Sequence, residues 1–206
     1  MHDTLLLVDI QNDFLPGGAL AVPEGDAVVP IANRLMPHFS HVVASQDWHP
    51  ADHGSFAAHH PGTKPFDIGE LDGLEQILWP THCVQHTPGA SFASGLDIAR
   101  IDHVVRKGDD ARIDSYSAFH DNGHRKATGL ADTLHARGSR HLFVMGLAAD
   151  VCVKFTVLDA LAEGFVVTLI TDGVRGVDMT AGDTDAAIQL MHEAGARIGT
   201  TVQLIS

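Results

Sequence analysis

The chain has 206 residues, of which 45% are hydrophobic and 19% charged, a profile that excludes a disordered or membrane-spanning chain and provides core enough for one globular domain. A formal net charge of -13 disfavours nucleic acid and anionic membrane surfaces as main partners, because both would repel it, but leaves a small neutral molecule free to approach. Two cysteines, Cys83 and Cys152, predict free thiols in a reducing compartment rather than a disulfide framework.

Met1-His2-Asp3 leads into an apolar run from Leu5 to Val8. That run is too brief for a signal-peptide core or a membrane span, so a cytoplasmic protein is expected. The first predicted strand covers residues 4–9. A helix follows over 26–39, with Val28, Val29, Ala32, Leu35, Met36 and Phe39 on one face and Pro30 and Pro37 shortening or bending it. A strand at 41–45 opens into residues 46–94, rich in Pro, Gly and His, with a weak helical pattern only near 71–78. A long irregular insert of this kind is usually functional. Strands are then predicted at 103–107, 141–147, 165–171 and 197–205. Helices are predicted at 150–163, stopped by Gly164, and at 183–194, stopped by Gly195. Apolar runs alternating with helical segments, and no internal repeat, predict an α/β fold: a parallel sheet covered by helices on both faces, in a single domain over 1–206.

Ligands of open parallel sheets bind beyond the carboxyl ends of the strands. Here those ends carry Asp9, the segment Asp47-Trp48-His49, Lys107, and the run Gly146-Leu147-Ala148-Ala149-Asp150-Val151-Cys152. Cys152 falls in the first turn of a predicted helix, where backbone N–H groups and the helix dipole favour a thiolate. An isolated Cys in that place would ordinarily be packing; the Gly and Ala residues around it also let backbone amides face a substrate, so the N–H groups of Ala148 and Cys152 are candidates for an oxyanion hole. Asp9 is positioned to take the thiol proton and pass it to a leaving amine. Lys107 would hold both groups ionised through its charge.

Asp47 and His49 are two residues apart, so on an extended segment both side chains point the same way and can share a cation. His82, in Trp79-Pro80-Thr81-His82-Cys83-Val84, is the best third ligand, with Cys83 facing the other way on an extended segment. His53, His59, His60 and His86 compete as further ligands, His53 foremost. Two histidines and a carboxylate leave open positions, which suits one divalent transition metal, zinc before iron or manganese, in a catalytic role.

The runs Asp9-Ile10-Gln11-Asn12-Asp13-Phe14, Asp47-Trp48-His49-Pro50 and Trp79-Pro80-Thr81-His82-Cys83-Val84, together with Gly146 through Cys152, closely resemble the nicotinamidase/pyrazinamidase branch of the isochorismatase-like hydrolases, in order and over essentially the whole chain. The resemblance implies a six-stranded parallel sheet flanked by helices and a catalytic triad of Asp9, Lys107 and Cys152. It also implies metal ligation by Asp47, His49 and His82 and a cis peptide between Leu147 and Ala148. Carried over in the same way, Phe14, Trp79 and Tyr116 would sandwich a flat pyridine ring. The implied activity is amidohydrolysis of nicotinamide, and of pyrazinamide, to the acid and ammonia through a cysteine thioester, in NAD salvage, with no organic cofactor. The implied partner is a small aromatic amide, with no nucleic acid or membrane; a homo-oligomer is compatible. The alternatives are a superfamily amidohydrolase acting on a carbamoyl or ureido compound, which would not need the metal, and an inactive small-molecule binding protein on the same fold.

Overall fold

Leu5, Leu6, Leu7 and Val8 have no exposed surface, which consecutive strand residues achieve only when both faces of their sheet are covered. They belong to β1 (His2–Val8) of a computed structural model that describes residues 2–205. After β1 come α1 (Val28–Leu35), β2 (His41–Asp47), β3 (Ile68–Leu71), β4 (Leu74–Ile77) and β5 (His103–Lys107). The second half carries α2 (Leu130–Ala136), β6 (Ser139–Leu147), α3 (Lys154–Ala162), β7 (Val166–Arg175), α4 (Asp183–Glu193), β8 (Arg197–Gly199) and α5 (Thr201–Ile205).

Among the described residues, six strands form one sheet in the order β5-β2-β1-β6-β7-β8, and every pairing in it is parallel. The expected six-stranded parallel sheet with helices is therefore what the chain builds. The order reverses between β1 and β6: the chain first works outward to β2 and β5, then returns to the other side of β1. Right-handed crossovers in these opposite directions put α1 on one face and α2, α3 and α4 on the other. They also open a crevice at the carboxyl ends of β1 and β6, the place where such sheets bind ligands. Gly146 allows the two strands to meet there. It has φ +125, and a Cβ at this position would collide with the Val8 carbonyl.

Three expectations need correction. The weak helix near 71–78 is an antiparallel hairpin of β3 and β4. Its two-residue turn, Asp72-Gly73, has φ 53 and 79, the paired positive values that a type I′ turn requires and that an Asp-Gly sequence favours. The strand expected over 197–205 stops at Gly199, after which Thr200 N–H bonds Gln203 Oε1 and Thr201 N–H bonds Asp172 Oδ1, turning the chain into α5. The helix expected over 26–39 is regular only in α1, with 3-10 turns on either side, the second of them built around Pro37. Gly164 and Gly195 follow α3 and α4 with φ of 87 and 113, in the left-handed conformation of helix stops. No helix among the described residues is long and apolar enough to cross a membrane.

Candidate active site

Strand register brings the charged residues together. Asp47 and Lys107 end β2 and β5 as direct register partners, so their side chains leave the sheet side by side. Asp9 follows β1 with φ 48, a left-handed residue that turns the chain away from the sheet. The Lys107 ammonium lies 2.9 Å from Asp9 Oδ2, 2.9 Å from Asp47 Oδ1, 3.0 Å from the Ser115 carbonyl and 3.5 Å from Cys152 Sγ. Burial alone would discharge this lysine, but the Asp47 and Asp9 carboxylates outweigh it and hold its pKa well above the ordinary value.

Ser45 Oγ donates to Asp9 Oδ1 at 2.6 Å. Asp9 Oδ2 has the lysine charge beside it but no aligned hydrogen bond, which leaves that oxygen open to a proton. Burial is the largest influence on Asp9 and raises its pKa despite Lys107.

Cys152 is reached from β6 through the Leu147-Ala148 peptide, which is cis, and through a π-helical turn, Ala149–Val153, that runs into α3. Burial pushes its thiol well above the ordinary value; Lys107 opposes this, while Asp9 and Asp47 add to it. Burial and the two carboxylates thus oppose the thiolate that a helix start favours, and Lys107 supports it.

The metal-ligand candidates also converge. His49 Nε2 lies 3.2 Å and His82 Nε2 3.5 Å from Asp47 Oδ2, and all three residues are buried. Ions bound at about 2.1 Å in tetrahedral geometry space their ligand atoms about 3.4 Å apart. Each imidazole is oriented from behind: His49 Nδ1 donates to the Gly108 carbonyl at 2.9 Å and His82 Nδ1 to the Pro80 carbonyl at 2.7 Å. Both Nε2 lone pairs are thereby aimed at the carboxylate, an arrangement that calls for a cation between them. The same demand appears at His49, where burial disfavours the charged ring but Asp47 overrides it and lifts the pKa to about 9. Gly108 has φ +67, and a Cβ there would strike the His49 ring.

His53 clusters with His49 and Asp114 rather than with Asp47 and His82. Its Nδ1 accepts from the Ser55 N–H at 3.2 Å and meets Ser55 Oγ at 2.7 Å, which places the proton on Nε2; burial and then His49 lower its pKa to about 4. His59 and His60 turn Nε2 to the carbonyls of Ala51 and Gly54, and His86 packs its ring against Trp48. Cys83 has φ 46, so its segment is not extended as expected. Its N–H bonds Asp13 Oδ2 at 2.7 Å, and its sulfur is absent from the ligand groups among the described residues.

Phe14, Trp79 and Tyr116 share one pocket with Cys152, Ala148, Asp47 and His82. Trp79 Nε1 and Gln76 Nε2 both donate to the Tyr116 hydroxyl, at 3.2 and 3.0 Å, locking two of the walls to each other. Phe14 leans on the His82 ring with centroids 5.6 Å apart.

Several contributors escaped the sequence reading. Leu20, Val151, Val177 and Asp114 complete the pocket lining. Gln11 clamps the Asp47 peptide, its Oε1 accepting from Asp47 N–H and its Nε2 donating to Asp47 O, both at 2.8 Å. Ser45 had a legible signal, a polar residue two before Asp47 in an apolar strand and so on the same face of the sheet. Gln76 had none, since its partners Asp114 and Tyr116 lie across the fold, and Ser115 had none, since the loop that folds it back onto Lys107 and His120 has no periodic pattern.

A family model for the isochorismatase domain matches residues 3–203. The chain belongs to the isochorismatase family. A nicotinamidase of Escherichia coli (strain K12) is 54% identical over 200 residues, which cover 95% of this chain and 93% of that one. The solved structure of an Acinetobacter baumanii nicotinamidase/pyrazinamidase superposes with a TM-score of 0.95 at 44% identity, covering 99% of this chain and 98% of that one. The structure of a Pyrococcus horikoshii pyrazinamidase in complex with zinc superposes with a TM-score of 0.79 at 34% identity, covering 97% and 99%. Within the isochorismatase family, then, this amidohydrolase sits among nicotinamidases.

Proposed function

We propose that the protein is a nicotinamidase, hydrolysing nicotinamide, and pyrazinamide as a close analogue, to the acid and ammonia and so supplying nicotinate to NAD salvage. The observation that carries this reading is the sharing of one aromatic-walled pocket by Cys152 at one wall and by Asp47 and His82 at another. Names of similar proteins support the same substrate class.

Burial raises the pKa of both Cys152 and Asp9, and the chemistry starts from a thiol beside a carboxylate. Asp9 takes the Cys152 proton as the sulfur attacks the carboxamide carbon, and Lys107, beside both groups, stabilises the single negative charge as it passes from the carboxylate to the sulfur. The carbonyl oxygen becomes an oxyanion, which the Ala148 and Cys152 N–H groups would receive. Asp9 returns its proton to the amide nitrogen, the C–N bond breaks and ammonia leaves, giving a thioester at Cys152. A water that gives its proton to Asp9 then cleaves the C–S bond, releasing nicotinate and restoring the thiol.

Asp47, His49 and His82 would hold one divalent transition metal, zinc by the donor set and by likeness to the zinc complex, and the chemistry such an ion would supply is Lewis-acidic anchoring of the pyridine nitrogen. Phe14, Trp79 and Tyr116 hold the ring flat, so that the carboxamide is presented to Cys152. The chain works as a single domain, and its two buried free thiols suit a reducing compartment such as the cytoplasm.

Incubating the purified protein with nicotinamide and measuring ammonia and nicotinate tests the reading. Equimolar release of both is expected. No release from nicotinamide, alongside hydrolysis of an N-carbamoyl compound, would replace it with the other amidohydrolase chemistry of the fold.

A further inference from the structure

Outside the catalytic pocket, on its Tyr116 side, two histidines converge on a carboxylate. His120 Nδ1 lies 3.6 Å from Asp159 Oδ2 and His124 Nε2 3.4 Å from Asp159 Oδ1, and one ligand atom from each of the three residues lies within 4.8 Å of the others. We propose that His120, His124 and Asp159 form a second divalent transition-metal site, of zinc type, that clamps the loop bearing Tyr116 to the helix that follows the nucleophile.

The two rings approach different oxygens of Asp159, and both distances lie near the roughly 3.4 Å that separates donor atoms around a tetrahedral ion with bonds of about 2.1 Å. His120 Nδ1 is moreover a buried nitrogen with no hydrogen-bond partner, Asp159 Oδ2 lying 3.6 Å from it. The opposite nitrogen of the same ring, Nε2, lies 3.4 Å from Glu163 Oε1. A carboxylate behind an imidazole fixes the tautomer and turns the free lone pair toward a metal. The two rings stack with centroids 4.9 Å apart at 19°, which keeps their nitrogens on the same side of Asp159.

The site is also built in advance. Asp121 Oδ1 accepts from the N–H groups of Gly123 and Arg125 at 2.9 Å, and its Oδ2 from Lys126 N–H at 2.8 Å. These bonds hold the turn that presents His124 in a left-handed conformation, φ 53. The loop is coupled to catalysis through Ser115, whose Oγ donates to the His120 carbonyl at 2.9 Å and whose own carbonyl accepts from Lys107 at 3.0 Å. Asn122 Oδ1 accepts from Tyr116 N–H at 2.9 Å. Asp159 and Glu163 sit on α3 and immediately after it, so the ion would join the Tyr116 wall to the Cys152 side of the pocket. The His124 side chain is 61% exposed, leaving the ion open to water and exchangeable.

The test is zinc content of the holoenzyme after equilibrium dialysis against rising free zinc, compared between wild type, His124→Ala and Glu163→Gln. Wild type should take up one equivalent more than His124→Ala, and Glu163→Gln should fill the same site roughly 10- to 100-fold more weakly. Excess zinc should raise the Tm of wild type and not that of His124→Ala, because only a ligand of the folded state stabilises it. Because the readout is a difference of one equivalent, it holds whatever the catalytic group binds. Equal zinc uptake by wild type and His124→Ala overturns the proposed site, and an equal Tm rise in both overturns the clamp.

Discussion

Lys107 Nζ stands 2.9 Å from Asp47 Oδ1, so the ammonium that faces Cys152 also neutralises a carboxylate of the metal-binding group. One buried cation thus serves both halves of the site, and the direct register pairing of β2 with β5 is what makes the sharing possible.

Replacing Lys107 by Met keeps most of the side-chain volume but leaves Asp9 and Asp47 buried without their common partner. Breaking a buried ion pair from one side costs about 3–5 kcal/mol, and urea denaturation of Lys107→Met should show a loss of that order together with loss of turnover. Unchanged stability would mean that the two carboxylates are neutralised by other means.

Cys152→Ala removes the sulfur while leaving the aromatic walls and the metal ligands in place. Ammonia release should fall to background while calorimetry still detects nicotinamide binding. Turnover at the wild-type rate would rule out a covalent intermediate on this residue.

The pH profile should carry the mark of burial. Asp9 must be a carboxylate to accept the thiol proton, and its pKa is raised above the ordinary 3.8. Activity should therefore be lost as pH falls through a value higher than 3.8, with kcat/KM following the carboxylate. Cys152 titrates well above 9.0, so no gain in rate should accompany the approach to pH 9. An acid limb at or below 3.8, or a rise that tracks an ordinary thiol, would contradict a thiol–carboxylate resting pair.

Much of this site was legible because its residues stand at strand ends, where a change from apolar to polar marks the carboxyl edge of a parallel sheet. Asp9, Asp47 and Lys107 were found that way, and His49 and His82 from short motifs. The upward pKa shifts of Asp9 and Cys152 were not legible, since they depend on desolvation, which the linear order of residues does not contain. The hairpin at 68–77 was legible in principle from Asp72-Gly73, but the helical spacing of Leu71, Leu74 and Leu78 masked it. Ser115, which links Lys107 to the His120 loop through two hydrogen bonds, becomes meaningful only when strand β5 and the loop after it are folded together.

Cys83 is a buried thiol next to a metal-ligand candidate, yet its backbone does the positioning: its N–H is held by Asp13 and its carbonyl accepts from His49 N–H at 3.0 Å. Alanine preserves both bonds, so Cys83→Ala should keep wild-type turnover and metal content with at most a modest loss of stability. A folded but inactive variant lacking metal would show that the sulfur is a ligand.

The last prediction concerns what the metal contributes. With Cys152 supplying the nucleophile and Asp9 handling the protons, a cation at Asp47, His49 and His82 is left with the ring nitrogen of the substrate, because Asp47 and His82 border the same pocket as the aromatic walls. Benzamide keeps the ring shape and the carboxamide but lacks that nitrogen, so it should still fit between Phe14, Trp79 and Tyr116 while losing the anchoring contact. If the contact contributes ~3 kcal/mol, as electrostatic contacts in water-excluded sites do, kcat/KM for benzamide should lie roughly two orders of magnitude below that for nicotinamide. Chelation should then reduce turnover of nicotinamide far more than that of benzamide, bringing the two amides close together. Measuring both substrates before and after chelation, with metal content and Tm followed in parallel, separates anchoring from a structural role: equal fractional losses for the two amides, accompanied by a fall in Tm, would assign the ion to holding the site together instead.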